Sequence, residues 1–169
     1  EYTDPTSRRY DAQPVCCNEC GPQVYVAGTE IYGHRAIRAA REAIRQGKII
    51  AVKGIGGFHL CCDGTNEAVV SRLRHLKTRP VKPFAVMAAD LETAKRECIV
   101  THTGEELLMG YERPIVFMKR RIGGKAAASV SPDNPYIGVM LPYAPLQLLL
   151  FSYNDGLHMP DLLVMTSAN

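Results

Sequence analysis

The stretch HLKTRPVKPFAVM, His75 to Met87, places Lys77, Arg79 and Lys82 within six residues and threads Pro80 and Pro83 among them. Pro80 disfavours helical backbone at Arg79, so a preceding helix should end near Lys77. The three cations then fall on a loop at a helix C-terminus, directly before an apolar strand. An arginine forks onto phosphate oxygens and a lysine adds point charge. In open α/β sheets, ligands bind at the ends of strands. The pattern suits an anion-binding loop; the alternative is a solvated basic turn.

Three other stretches carry candidate chemistry. In VKGIGGFHL, a glycine turn joins two strands, and the amides of Gly56 and Gly57 can approach an anion. His59 follows, placed for contact with a small polar substrate. No Lys-Ser or Lys-Thr follows the last glycine and no helix opens there, which excludes a P-loop and a dinucleotide fingerprint. A tight hairpin turn and a core histidine are the competing readings. MTSAN puts Ser167 and Asn169 at the C-terminal end of a strand, a usual ligand position, though Ser and Asn also serve as simple turn residues. In CCNECGP, Cys17 and Cys20 form a CxxC, half of a zinc knuckle. A tetrahedral zinc site needs a second pair, and no second CxxC occurs in the chain. The other ligands would lie upstream. Cys61 and Cys62 are adjacent, so strand pleating should point them to opposite faces, as core residues.

These residues must be positioned by a folded scaffold. The chain has 169 residues, 46% hydrophobic and 22% charged, enough for one domain with a real core plus a small appendage. A net charge of +3 does not mark a dedicated nucleic-acid binder. No apolar run reaches the roughly 18 residues of a membrane span, and the polar N-terminus is no signal peptide. Six cysteines in adjacent pairs and apolar segments do not resemble a secreted disulfide framework, and suggest the reducing cytoplasm. The chain lacks an initial Met and ends just after a strand-like run. Both ends are expected to be boundaries cut from a longer protein.

Residues 1–30, rich in Pro, Cys and Gly, read as a linker or the tail of another module. Residues 32–47 follow helical spacing, with Ile37, Ala40 and Ile44 on one face, arginines on the other, and Gly47 closing the helix. Strands are expected at KIIAVKG, after the glycine turn within GIGGFHLCCDG, and at PFAVMAA, RPIVFMKR, YIGVML and DLLVMTS. Helices are expected over 66–77, over DLETAKREC with Asp90 as N-cap, over THTGEELLMG with a Thr103–Glu106 capping box and a closing Gly110, and over APLQLLLFS. IGGKAAASVSPDNP reads as a loop. The alternation, with some short connections, predicts an α/β fold of the α+β type: a twisted, mixed, open sheet flanked by helices.

Taken together, LKTRPVKPFAVM and TSAN resemble the YrdC family, ATP-using enzymes that make acyl-adenylates. The further run DPTSRRYDAQPVCCNECGP, GIGGFHLCCDGTNEAVVSRLRHLKTRPVKPFAVMA, GVMLPYAPLQLLL and VMTSAN is similar to the HypF-type carbamoyltransferases of nickel–iron hydrogenase maturation. This resemblance implies that 1–30 is the tail of a zinc-finger region and linker, and that 31–169 is a YrdC-like ATP-binding domain truncated at its C-terminus. It implies that carbamate, released from carbamoyl phosphate in another domain, attacks the α-phosphate of ATP to give carbamoyl-AMP and pyrophosphate. The carbamoyl group then passes to the C-terminal Cys of a HypE-type partner, on the way to a cyanide ligand of the hydrogenase iron.

By the same resemblance, Lys77, Arg79 and Lys82 neutralise the triphosphate, Ser167 and Asn169 bond nucleotide oxygens, and the Gly56–His59 turn holds the acyl acceptor, with His59 orienting carbamate. Mg2+ is expected with ATP, and Zn2+ at Cys17 and Cys20 with upstream ligands. Where the family usually reads TPLHHLLL after LPY, this chain has Gln147 and Leu148 in place of the two histidines. Two other functions compete. A threonylcarbamoyl-AMP synthase for tRNA modification shares the basic motif and the SxN, but lacks zinc fingers and carries a Pro-Thr-Glu-Thr-like segment where this chain has KGIGGFHL. Against a double-stranded RNA binding module stand the modest net charge and the absence of aromatics interleaved with the cations. A purely structural role leaves the cation loop unexplained.

Overall fold

The computed structural model describes residues 3–10 and 21–168. The chain divides into two compact units, Glu1–Ile37 and Arg38–Asn169. In the first, β1 (Tyr25–Val26) pairs antiparallel with β2 (Ile31–Tyr32), and the Tyr25 and Tyr32 rings lie 6.1 Å apart. A hairpin therefore occupies part of what reads in sequence as a linker. Two-residue strands are too short for alternation to show.

The helix expected over 32–47 is α1 (His34–Arg45). It closes as expected at Gly47, whose φ of 71° favours glycine. The Gly47 amide donates to Ile44 O and the Lys48 amide to Ala43 O, each at 2.9 Å. The expectation that arginines fill the outer face fails at Arg41, which is buried. It pairs with Asp155 at 2.9 Å and donates to the carbonyls of Leu149, Leu150 and Leu157. Those partners neutralise and saturate the guanidinium, which makes its burial tolerable.

The second unit is built on six strands: β3 (Ile50–Gly54), β4 (Gly57–Asp63), β5 (Ala85–Ala88), β6 (Val116–Lys119), β7 (Tyr136–Met140) and β8 (Leu162–Ser167). Their order is β3-β4-β8-β5-β7-β6. Only β5 and β7 run parallel; every other neighbouring pair is antiparallel. This is the mixed, helix-flanked sheet that the sequence predicts. Between the strands come α2 (Glu67–Leu76), α3 (Leu91–Glu97), α4 (His102–Met109) and α5 (Pro145–Phe151).

Pleating divides the core into two layers. Cys62, Val86, Val139 and Val164 pack with Val70 and Leu73 of α2 and Leu108 of α4. Cys61, Met87, Met140 and Leu163 pack with Ile44 of α1 and Leu150 of α5. Cys61 and Cys62 thus point to opposite faces, as their adjacency requires. Burial pushes both thiols up, Cys62 to about 12, so neither is a nucleophile at neutral pH.

Asp90 caps α3 as expected, accepting from Thr93 N at 2.7 Å. At α4 the cap is Thr101, whose hydroxyl accepts from Gly104 N at 3.1 Å, so the Thr103–Glu106 box does not form. Starting the helix at His102 buries Gly104 and Leu108, one turn apart, on the same side. The segment expected as loop over IGGKAAASVSPDNP contains one short 3-10 turn, Ala128–Val130.

Candidate functional site

The candidate site grows around the C-terminal end of β8. In the β4–β8 register His59 is directly opposite Ser167, and Leu60 opposite Thr166. The Ala168 amide then donates to Phe58 O at 3.0 Å. On the β3 side, β4 begins from a tight hairpin in which Gly54 pairs with Gly57, leaving Ile55 and Gly56 as the turn. Gly56 has a φ of 85°, which a side chain rarely adopts. Gly56, Gly57, Phe58, His59, Ser167 and Ala168 line a cavity of about 520 Å³. The hairpin reading and the ligand-site reading of VKGIGGFHL are therefore compatible.

The basic loop arrives at the same strand end. α2 stops at Leu76 with Lys77 as its C-cap, where the proline pattern places it. Thr78 follows with a φ of 47°, unusual for a β-branched residue. This reversal sends the Lys77 ammonium to the carbonyl of Ser167 and Arg79 Nη1 to Thr166 Oγ1, the latter at 3.4 Å. Arg79 also donates to the carbonyls of Lys82, at 3.1 Å, and Pro83, at 2.6 Å. Lys82 is exposed, and its carbonyl is what ties it to the cluster.

The acceptors that Arg79 meets here, two carbonyls and a hydroxyl, satisfy its donors without neutralising its charge. Burial lowers the affinity of Arg79 for its proton. Lys77 is pulled down by burial first and by the neighbouring Arg79 second. Both influences disfavour the cationic forms, and an incoming anion relieves both.

Arg74 escapes sequence reasoning. It is buried at 7% exposure and lies beneath the loop. Its guanidinium donates to Arg79 O at 2.7 Å, Lys82 O at 3.2 Å and Val130 O at 3.0 Å, and also to Ser129 O. The Arg74 and Arg79 guanidinium carbons stand 4.7 and 5.0 Å from the centroid of the buried Phe84 ring. The available signal was spacing: Arg74 falls one helical turn after Val70, on the apolar face of α2.

Gln147, at the position where the histidine pattern departs, is buried and accepts from the amides of Tyr143 and Ala144 at 2.9 and 3.0 Å. It closes the N-terminus of α5. Cys17, Cys20 and Asn169 lie outside the described residues. Among the described residues no group of three or more His, Cys, Asp or Glu could hold a metal, and no helix is long and apolar enough to cross a membrane.

The profile of the Sua5–YciO–YrdC family, described as telomere recombination, matches residues 42–169. The chain belongs to this family. A second profile, the HypF finger, matches residues 1–27. Among curated relatives, the carbamoyltransferase HypF of Rhodobacter capsulatus is 43% identical over 171 residues, covering 100% of this chain and 22% of that protein. Among solved structures, HypF from T. kodakarensis superposes with a TM-score of 0.85 at 45% identity, covering 99% of this chain and 22% of that one. A full-length HypF in a phosphate- and nucleotide-bound form gives 0.84 at 42%, covering 99% and 21%. The chain thus spans about a fifth of the length of these relatives. Within the family, it is similar to the HypF branch over nearly all its length.

Proposed function

We propose that this chain is the nucleotide-activating part of a HypF-type carbamoyltransferase, and that its site forms carbamoyl-AMP. The observation that carries the reading is the convergence of Lys77 and Arg79 on the end of β8, beside the cavity that His59 and Ser167 share. The phosphate- and nucleotide-bound form of the 42% identical HypF supports a nucleotide as the anion. The finger match on residues 1–27 favours this branch over the threonylcarbamoyl-AMP synthases.

In this reading Lys77 and Arg79 hold the β- and γ-phosphates of ATP, with Lys82 adding charge at the rim. Ser167 and Asn169 hold nucleotide oxygens, and the amides of Gly56 and Gly57 face the acyl group. His59 orients carbamate so that its oxygen attacks the α-phosphorus. The bond to the β-phosphate oxygen breaks, and pyrophosphate leaves with the charge that Lys77 and Arg79 stabilise. Mg2+ would accompany ATP and would neutralise charge on its phosphates. Cys17 and Cys20 would supply two of the thiolates for Zn2+, with the others upstream of Glu1.

The division at 1–30 and 31–169 belongs to this proposal, as do carbamoyl phosphate as the carbamate source and a HypE-type protein as acceptor. The buried free thiols Cys61, Cys62 and Cys98 support a cytoplasmic setting.

The test uses the full-length protein with ATP and Mg2+, supplied either with carbamoyl phosphate or with threonine and bicarbonate, and mass spectrometry of the adenylate. Carbamoyl-AMP formed only with carbamoyl phosphate, and lost in Arg79→Ala, is the expected result. Threonylcarbamoyl-AMP would move the protein to tRNA modification. No adenylate under either condition would leave the loop as a binding surface for RNA.

A further inference from the structure

The basic loop is braced by Arg79, which donates to the Lys82 and Pro83 carbonyls, and from beneath by α2. It contains two prolines and a left-handed threonine, and its cations repel one another. It also has a set of inward-facing carbonyls. Those of Arg79, Pro80 and Lys82 all accept from Nη1 of Arg74, at 2.7, 3.4 and 3.2 Å. The other side of the same guanidinium, Nε and Nη2, reaches Ser129 O and Val130 O in the 3-10 turn. That turn is itself tied to the first turn of α2: Glu67 accepts from the Ser129 amide at 3.1 Å and from its hydroxyl.

Among the described residues every acceptor of Arg74 is a main-chain carbonyl, so this cation buried at 7% exposure has a hydrogen-bonded shell but no neutralising hydrogen-bond partner. Burial, and then Arg79, push its proton affinity down, while Glu67 opposes them. A buried charge in that state is unfavourable for stability alone. A planar five-donor fork is the one side chain able to serve carbonyls on both sides at once.

We propose that Arg74 is a positioning residue: it fastens the carbonyls of residues 79–82 to the 128–130 turn, so that Lys77 and Arg79 stand fixed at the end of β8 as one polyphosphate site. The shared Phe84 ring sets the spacing of the two guanidinium groups, and the positive charge of Arg74 adds to the field at the loop. The choice of polyphosphate as ligand rests on the function proposed above; the clamp itself does not.

The experiment separates the two. Inorganic pyrophosphate is titrated into the full-length protein, and protection of the 77–84 backbone amides is followed by hydrogen exchange with mass spectrometry. Three proteins are compared: the wild type, Arg74→Lys, and Arg41→Lys. Arg41 is also buried and bound to carbonyls, but its partners are Asp155 and the 149–157 segment. The Arg74→Lys protein keeps the charge and loses the fork. Its pyrophosphate midpoint is expected to rise roughly tenfold to a hundredfold, as for a misplaced binding group. Arg41→Lys should lower thermal stability and leave the midpoint where it was.

If Arg74→Lys does not fold, Arg74→Ala is titrated with and without millimolar guanidinium, which is expected to restore the midpoint. An unchanged midpoint in Arg74→Lys overturns the proposal, as does a wild-type loop that pyrophosphate fails to protect. Equal shifts in Arg74→Lys and Arg41→Lys would reduce Arg74 to a general stability role and also overturn it. Protection at 77–84 without any adenylate product would sink the carbamoyl-AMP reading and leave the clamp standing.

Discussion

His59 and Ser167 are directly opposed across β4 and β8 and open into one cavity. Opposed residues in an antiparallel pair have Cβ atoms about 4.5–5.5 Å apart, close enough for an imidazole and a hydroxyl to share one small ligand. If His59 orients the acyl group and Ser167 a nucleotide oxygen, removing both should not cost the sum of removing each. Steady-state adenylate formation by His59→Ala, Ser167→Ala and the double variant should give a coupling of about 0.5–3 kcal/mol. Strict additivity would show that the two side chains serve separate ligands.

The imidazole of His59 lies against Gly54. A Cβ built at Gly54 would meet His59 Nδ1 at 3.2 Å and Cε1 at 3.3 Å. Gly54 is not at a positive φ, so alanine is allowed there by the backbone. Gly54→Ala is therefore expected to push the ring aside by a few tenths of an ångström while leaving the hairpin paired. The predicted signature is a drop in kcat for adenylate formation with a thermal midpoint changed by only about 2–4 °C, equivalent to about 1 kcal/mol for a chain of this size. A variant with wild-type kcat would free His59 from the orienting role.

Lys77 gives a pH prediction. Burial and then Arg79 hold its proton affinity below the ordinary lysine value of 10.5. Between the folded and unfolded values the native state binds fewer protons than the unfolded one, so stability rises with pH across that window. Polyphosphate affinity runs the other way: it needs the cation, and declines as pH rises through the lowered native value. Titrating pyrophosphate protection of 77–84 against pH should show this decline beginning below 10.5, and Lys77→Arg should displace it upward. A decline that stays put in Lys77→Arg would assign it to another group.

The parts of this architecture that sequence made legible rest on local chemistry. Gly47 announces a helix end because only glycine takes its φ freely, and Asp90 announces a helix start because its carboxylate can reach Thr93 N. Cys61 and Cys62 split between the two core layers because pleating has a period of two residues. The loop at Lys77–Lys82 followed from the proline at position 80. What sequence could not show depends on distant partners. Arg41 falls on the Ile37–Ile44 side of its helix, but the carboxylate that makes its burial tolerable is 114 residues away. Arg74 falls on the apolar face of α2, and the carbonyls of Ser129 and Val130 that it also serves come from a turn more than 50 residues on. At α4, Thr103 with Glu106 fits the capping pattern better than Thr101 does. The helix nevertheless starts two residues earlier, because Gly104 and Leu108 face inward.

The Arg41–Asp155 pair gives the sharpest stability prediction. Both side chains are almost fully buried, at 1% and 5% exposure, and they meet through two contacts of 2.9 and 3.1 Å. Arg41 simultaneously ties down the carbonyls at the end of α5 and at Leu157. The Asp155 carboxyl is held below its ordinary range: burial pushes it up, but the Leu157 amide, Arg41 and Arg38 together outweigh that push. Breaking the pair from one side leaves a buried charge without its partner, the more damaging of the two possible losses. Arg41→Met is accordingly expected to lower the thermal midpoint by roughly 10 °C. Adding Asp155→Asn should recover part of that loss, since the orphaned charge is removed while the amide can still meet the Leu157 N–H. Differential scanning calorimetry of the two single variants and the double variant decides it. A double variant that melts lower than Arg41→Met would show that the carboxylate stabilises the 152–161 segment through partners other than Arg41.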